Sequence, residues 1–472
     1  MVTIRMYNVG LGDCFLLRFE AQRPYFMLID CGLFRSSDAE KETLRATVAD
    51  IADTTGGFID VVVATHEHQD HLSGFTYAQN VFQEKNLRIG QVWLAWTEDP
   101  ADRVATDLRE GMNSFAEQLD KTVTQLKADT RRDFSRTSLG AVESVMEFIG
   151  LGEMLGATRG PGINRQALDF LKTFPVSYKK PNDVLTFPGK PEEMIPNVRF
   201  YVLGPPRNEL INQSNPSRSQ PEVYHFGGAE RNNYSLMTPA WSGEEDDEDR
   251  IDMVPFEKTH YSQVADESVS PYYYKSDEAY RRIDDDWLFA VGDLALKLDS
   301  DTNNTSLVLA IELIDSGKVL LFPGDAQVGN WLSWDDCKWE GHDGLTAEKL
   351  LNQTVFYKVG HHGSHNATLQ AKGLERMSDN LVAMIPVDRN FAQNTKGWAM
   401  PFDKLYTRLL EKTKGRVLIA DSRFPHTKNE KRPATMTVNE WQAFKKSVKQ
   451  SPQKRPTTKN TDQPLWTEFV LQ

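Results

Sequence analysis

Four residues able to bind a metal fall within six positions of this chain: His66, His68, Asp70 and His71, in Thr65-His66-Glu67-His68-Gln69-Asp70-His71. Imidazoles and a carboxylate together suit Zn²⁺, or a similar borderline cation such as Mn²⁺ or Fe²⁺. The apolar run Ile59 to Ala64 precedes them and reads as a buried, β-branched strand. The ligands would then lie on the loop leaving its C-terminal end, where sites of layered α/β folds sit. The plain alternative, surface histidines opening a helix, leaves so dense a cluster of donors unexplained. Asp30 ends another apolar run and would accept the far N–H of a ligand histidine, fixing its tautomer; the plain reading is a satisfied turn aspartate. The chain shows no glycine-rich nucleotide loop, Ser-His-Asp order or dinucleotide fingerprint.

Further motifs follow in order. Val9-Gly10-Leu11-Gly12-Asp13-Cys14 and Leu28-Ile29-Asp30-Cys31-Gly32 come first. Asn304-Thr305-Ser306-Leu307-Val308-Leu309, Leu320-Leu321-Phe322-Pro323-Gly324-Asp325 and Lys358-Val359-Gly360-His361-His362-Gly363-Ser364 come later. With H-x-H-x-D-H after a hydrophobic strand, this set resembles the metallo-β-lactamase superfamily, and within it the soluble domain of the competence protein ComEC. The resemblance covers roughly residues 1–96 and 301–421.

What it implies is an αββα sandwich holding two divalent ions, zinc first and manganese or iron as alternatives. His66 and His68 would bind one ion, Asp70 and His71 the second, and Asp325 would bridge them. One of His361 and His362 would be a ligand. Neighbouring residues leaving a strand point apart, so the other would face substrate as phosphate donor or general acid; His362 is favoured as the ligand and His361 as that other group. Asp70, His361 and Asp30 are the candidate catalytic residues. Ser364 offers a hydroxyl and an N–H, and His365 is a lesser candidate contact. The family's third histidine has no clear counterpart: His225 and His260 lie in a polar stretch, while Glu98 or Asp99, or a water, would take its place. Met400-Pro401 stands where competence proteins have His-Pro, and His426 is the only nearby substitute.

Bound ions would provide hydroxide at neutral pH by lowering the pKa of water from about 15.7 towards 7. The His-His-Gly-Ser feature resembles members acting on phosphodiesters, so a phosphodiesterase or nuclease acting on DNA or RNA is the leading expectation. A hydrolase of small esters, lactones or thioesters is the alternative. A partner-binding protein that retains the site is the third, and so complete a ligand set argues against it.

The elements divide the 472 residues into a first half of the domain at 1–96, an insertion at 97–300 and a second half at 301–472. A helix is expected near Ala39 to Ala52. Val104, Leu108, Met112, Phe115, Leu119, Val123 and Leu126 make the stripe of a long amphipathic helix, either a packed subdomain or a lid. Helical pattern recurs at Ala141 to Ile149 and Ala167 to Thr173, and strand pattern at Trp287 to Val291. Residues 205–282 read as polar loop, with the acidic run Glu244 to Asp249.

A net charge of −13 argues against a general nucleic-acid binder. Yet Lys445, Lys446, Lys449, Lys454, Arg455 and Lys459 cluster after Arg423, Lys428, Lys431 and Arg432. These form either a solvated tail or a phosphate-tracking patch. No apolar run approaches the roughly 20 residues of a membrane span, and Met1 leads directly into a strand. Three unpatterned cysteines, Cys14, Cys31 and Cys337, suit a reducing, cytoplasmic setting.

Overall fold

Successive side chains of a strand face opposite ways, and here both faces of the apolar strands are covered. A computed structural model describes residues 1–34, 37–128, 162–189, 196–213, 222–223, 297–425, 432–456 and 463–472. The expected elements at Ala141 to Ile149 and Trp287 to Val291 and the acidic run lie outside these residues, as do His225, His260 and His426.

Fifteen described strands form two sheets. In chain order they are β1 (Val2–Tyr7), β2 (Cys14–Phe19), β3 (Tyr25–Cys31), β4 (Phe58–Ala64), β5 (Arg88–Ala95), β6 (Val176–Lys179), β7 (Val184–Leu185) and β8 (Val198–Gly204). Then come β9 (Val308–Leu313), β10 (Lys318–Phe322), β11 (Thr354–Lys358), β12 (Val382–Ile385), β13 (Val417–Ile419), β14 (Val448–Gln450) and β15 (Trp466–Leu471). The first sheet runs β14-β15-β1-β2-β3-β4-β5-β6 and the second β13-β12-β11-β10-β9-β8-β7.

Both sheets mix parallel and antiparallel pairs. Strands β3 to β6 are parallel, as are β10 to β13. Parallel strands buried on both faces must be continuously apolar, as Val61-Val62-Val63-Ala64 and Val319-Leu320-Leu321-Phe322 are.

Alternation settles the layers. Val61, Val63, Leu320 and Phe322 point into a core shared by the two sheets, with Phe15, Phe200 and Phe356. Val62 and Ala64 turn outward against Leu44, Val48 and Ile51 of α1 (Asp38–Thr55) and Leu72 and Phe75 of α2 (Gln69–Tyr77). On the far side, Val319 and Leu321 meet Trp331, Leu350 and Leu405. The architecture is the expected αββα sandwich.

The span 97–300 contributes strands to both sheets. Residues 176–204 supply β6 to the first sheet and β7 and β8 to the second. The run Val198-Arg199-Phe200-Tyr201-Val202-Leu203 carries the aromatic and β-branched signal of a strand, and its register against β9 joins it to the sandwich. The long helix spans Arg103–Ala128. Of the expected stripe, Leu108 packs with Trp96, Ala105 and Ile211 and Val104 is exposed, while Leu119, Val123 and Leu126 lie outside the described side chains. Cys14, Cys31 and Cys337 are free and buried. No helix of the described residues is long and apolar enough to cross a membrane.

Candidate metal centre

The site forms where β3, β4, β10 and β11 end together. Asp30 is the penultimate residue of β3, the cluster at 66–71 follows β4, Asp325 follows β10, and His361 and His362 follow β11. His66, His68, Asp70, His71, Asp325, His361 and His362 are all buried. Among the described residues three groups could hold an ion: His66 with His71 and Asp325, Asp70 with Asp325 and His362, and Asp13 with Asp30 and His71, each set within 4.8 Å. Asp325 belongs to the first two, and His68 to none.

Hydrogen bonds fix which ring nitrogens carry lone pairs. His71 Nδ1 is 2.8 Å from Asp30 Oδ2 and so donates to it. That leaves Nε2 of a neutral ring facing Asp325 Oδ2 at 3.1 Å, without the alignment of a hydrogen bond. His362 repeats the pattern: Nδ1 faces Pro386 O at 2.6 Å and Nε2 faces Asp70 Oδ2 at 2.8 Å. A carbonyl only accepts, so Pro386 fixes the His362 tautomer. Were either ring neutral, two acceptors would face one another; a proton on Nε2 or a bound cation removes that clash, and against burial the carboxylates around both rings push their pKa values up accordingly.

His66 Nε2 and His68 Nδ1 approach to 3.0 Å. Thr65 Oγ1 donates to Asp30 Oδ2 at 2.8 Å, so at 3.1 Å it accepts from His66 Nδ1. His66 Nε2 therefore also carries its lone pair.

The charge balance is lopsided. Asp13, Asp30, Asp70, Asp299 and Asp325 are five buried carboxylates. Among the described residues Lys358 alone of the lysines and arginines touches them, pairing with Asp13 and, at 2.9 Å, with Asp325 Oδ1. The carboxylates outnumber the one ammonium. Buried charge is costly unless compensated.

Protonation follows the same logic. Burial opposes charge on His71, yet Asp325, Asp70, Asp30 and Asp13 outweigh it and push its pKa well up. Burial brings His68 and His361 down to about 4, leaving neutral imidazoles able to ligate. Burial with the nearby anions Asp70 and Asp325 pushes Asp299 well above the usual carboxylate range. Asp13, raised by burial and held back by Lys358, stands at about 6.

His361 and His362 part company as neighbours on a turn. Their rings are 6.0 Å apart; His362 faces Asp70, whereas His361 Nδ1 is 3.0 Å from Ser364 Oγ. Both residues have left-handed backbone, φ 46° and 53°, followed by Gly363 at 83°. Asp30 is left-handed too, at 56°. Non-glycine residues avoid this region, and such strain concentrates at functional sites.

Several residues here were not singled out from sequence. Lys358 spends its ammonium on Asp13, Asp325 and Gly324 O, and a lysine closing the apolar run Val355-Phe356-Tyr357 was the signal. Thr65 joins Asp30 to His66. Asp299 lies 3.7 Å from His68 Nε2 and had no motif to announce it. Glu98 faces Lys172 at 3.5 Å and Arg109 at 3.7 Å, and Asp99 accepts from Ala101 N; neither belongs to the converging groups. His365 packs by Phe402 at 6.2 Å, and Pro401 lies under Gly363.

Residues 7–162 match the model of the metallo-beta-lactamase superfamily. No curated protein matches the chain, so the likeness to competence proteins stands on the motifs alone. The superfamily match, with His/Asp groups able to hold metal, supports a metal-dependent hydrolase.

Proposed function

We propose that the chain is a binuclear metallohydrolase that cleaves phosphodiester bonds. The observation that carries the binuclear reading is the pair of converging groups, His66 with His71 and Asp325 and Asp70 with His362 and Asp325, which share Asp325. His66, His68, Asp70, His71, Asp325 and His362 would hold the ions. The chemistry such ions supply when bound is activation of water and stabilisation of negative charge on a substrate oxygen.

The chain's own groups do the rest. Asp30 holds the His71 tautomer and Pro386 O that of His362. Lys358 Nζ and the His361 N–H, at 2.9 Å each, hold Asp325 Oδ1, which leaves Oδ2 for the ions. Ser364 Oγ donates to Asn366 Oδ1 at 3.1 Å and so accepts from His361 Nδ1. His361 then carries its lone pair at Nε2 on a ring that burial holds neutral, with a pKa of about 4, so acting as phosphate donor or general acid would first require a proton at Nε2.

Phosphodiester specificity is favoured by the His-His-Gly-Ser turn beside the centre. The test is the metal-loaded protein on a panel: bis-p-nitrophenyl phosphate, single- and double-stranded DNA and RNA, and lactone and thioester substrates. Cleavage confined to lactones or thioesters would replace this reading with the small-molecule alternative.

A further inference from the structure

His68 turns one ring nitrogen towards His66 and the other towards a carboxylate outside every motif. Its Nδ1 is 3.0 Å from His66 Nε2, and its Nε2 is 3.7 Å from Asp299 Oδ1. Asp299 lies in a helix at 297–304 and is 8 % exposed. Its Oδ1 is buried with no hydrogen-bond partner among the described residues. Its Oδ2 accepts from Asn303 Nδ2 at 3.2 Å, one helical turn on, which sets the plane of the carboxylate.

The helix itself is tied down at its end. Asn304 Nδ2 donates to Leu210 O at 3.0 Å and Ile211 O at 2.8 Å. Asn330 Nδ2 donates to Asn304 O at 3.0 Å. Three residues on, Leu307 N donates to Thr65 O at 2.9 Å, beside the loop that carries His66 and His68. Asp299 is therefore placed against His68 by a braced scaffold.

We infer that Asp299 is a positioning residue of the metal centre, its carboxylate accepting the Nε2–H of His68 so that the Nδ1 lone pair faces the ion shared with His66. The inference rests on the binuclear reading above. A hydrogen bond needs about 3.2 Å or less, so the 3.7 Å pair would have to close slightly when the ring binds metal. Asp299 faces the nitrogen turned away from His66, the position of an orienting group and not of a ligand. A carboxylate partner raises the basicity of a ligating imidazole. That matters in a half-site where neither Glu98 nor Asp99 reaches the converging groups.

Metal affinity reads this directly. Metal-free wild type, Asp299→Ala and Asp299→Asn are titrated with Zn²⁺ against a chromophoric chelator, and stoichiometry is checked by elemental analysis. Wild type is expected to take up two ions. Asp299→Ala should hold one ion as wild type does and the other about 10–100-fold more weakly. Asp299→Asn, whose amide oxygen still accepts but carries no charge, should show a smaller loss at the same ion. Should Asp299→Ala fail to fold by circular dichroism, the near-isosteric Asp299→Asn decides alone. Wild-type affinity for both ions in the folded variants, or equal weakening of both, would overturn the inference. Wild type that binds no ion would overturn the binuclear reading and this inference with it.

Discussion

At the residue scale, His361 and His362 are adjacent in sequence and differ in their contacts. His362 Nε2 meets Asp70 within the converging groups, whereas His361 leans on Ser364. We expect His66→Ala, Asp325→Ala and His362→Ala to lose metal and activity together, and His361→Ala to lose turnover while keeping metal. Elemental analysis beside initial rates checks this; metal loss in His361→Ala but not His362→Ala reverses the assignment. Lys358 makes a second prediction. Replacing one partner of a buried pair strands the other charges at about 3–5 kcal/mol. Lys358→Met should therefore lose that much stability in denaturant titrations without metal, since Asp13 and Asp325 are both buried against it. Excess metal should restore part of the loss by supplying positive charge. An unchanged unfolding midpoint would show the lysine to be dispensable. From sequence alone, the cluster at 66–71 and the distant Asp325, which the structure brings together, were legible as candidates because motif and strand end coincide. Lys358 and Asp299 were not, because a lysine ending a strand and an aspartate in a helix become site residues only through contacts hundreds of positions away.

Elements carry the site through close backbone approaches. A Cβ on Gly32 would lie 2.5 Å from the backbone of Asp70 and His71, so the loop after β3 and the start of α2 touch with no room between them. Gly32→Ala must push α2 off the end of the sheet, and overpacking of this kind costs about 1–3 kcal/mol. Because α2 holds Asp70 and His71, metal affinity should fall along with the melting temperature. Gly111 is the control: it is exposed in the helix Arg103–Ala128, and an added Cβ would meet nothing within 4 Å. Gly111→Ala should stabilise by up to about 1 kcal/mol, the propensity difference, and leave metal binding unchanged. Thermal melts and chelator titrations of the two variants check the pair; Gly32→Ala binding metal like wild type would refute the close-contact argument. The same scale shows why the fold was only partly readable. Continuous apolar runs gave β3, β4 and β10 away, but β6, Val-Ser-Tyr-Lys, is short and mixed. It becomes a strand only by pairing with β5 from Val92↔Val176 to Ala95↔Lys179, and that tertiary contact leaves no local pattern.

At the scale of the whole molecule the question is whether an acidic protein can engage a polyanion. Among the described residues, part of the C-terminal basic cluster lies on regular elements. Lys445 and Lys446 lie on the helix Val438–Ser447, with Lys445 over the Trp441 ring, and Lys449 lies on the edge strand β14. Arg455 is withdrawn from the set, being buried against Asp388 at 3.1 Å. Strand β14 stands four places from β3 in the first sheet, about 19 Å at the usual strand spacing. A small diester cannot span that distance from the metal centre, but a polynucleotide can. If nucleic acid is the substrate, its binding releases counterions and should weaken steeply between about 50 and 200 mM salt. Replacing Lys445, Lys446 and Lys449 with glutamine should lower the slope of log affinity against log salt by about one unit for each lysine that contacts a phosphate. Metal content and cleavage of bis-p-nitrophenyl phosphate should not change, because both belong to the centre alone. Fluorescence anisotropy with a labelled oligonucleotide over a salt series, run beside the small-diester assay, checks both halves. An unaltered salt slope in the triple variant would remove this face from the binding path. Robust small-diester hydrolysis with no DNA or RNA cleaved in Mn²⁺ or Zn²⁺ would leave the centre intact as that of a small-molecule phosphodiesterase.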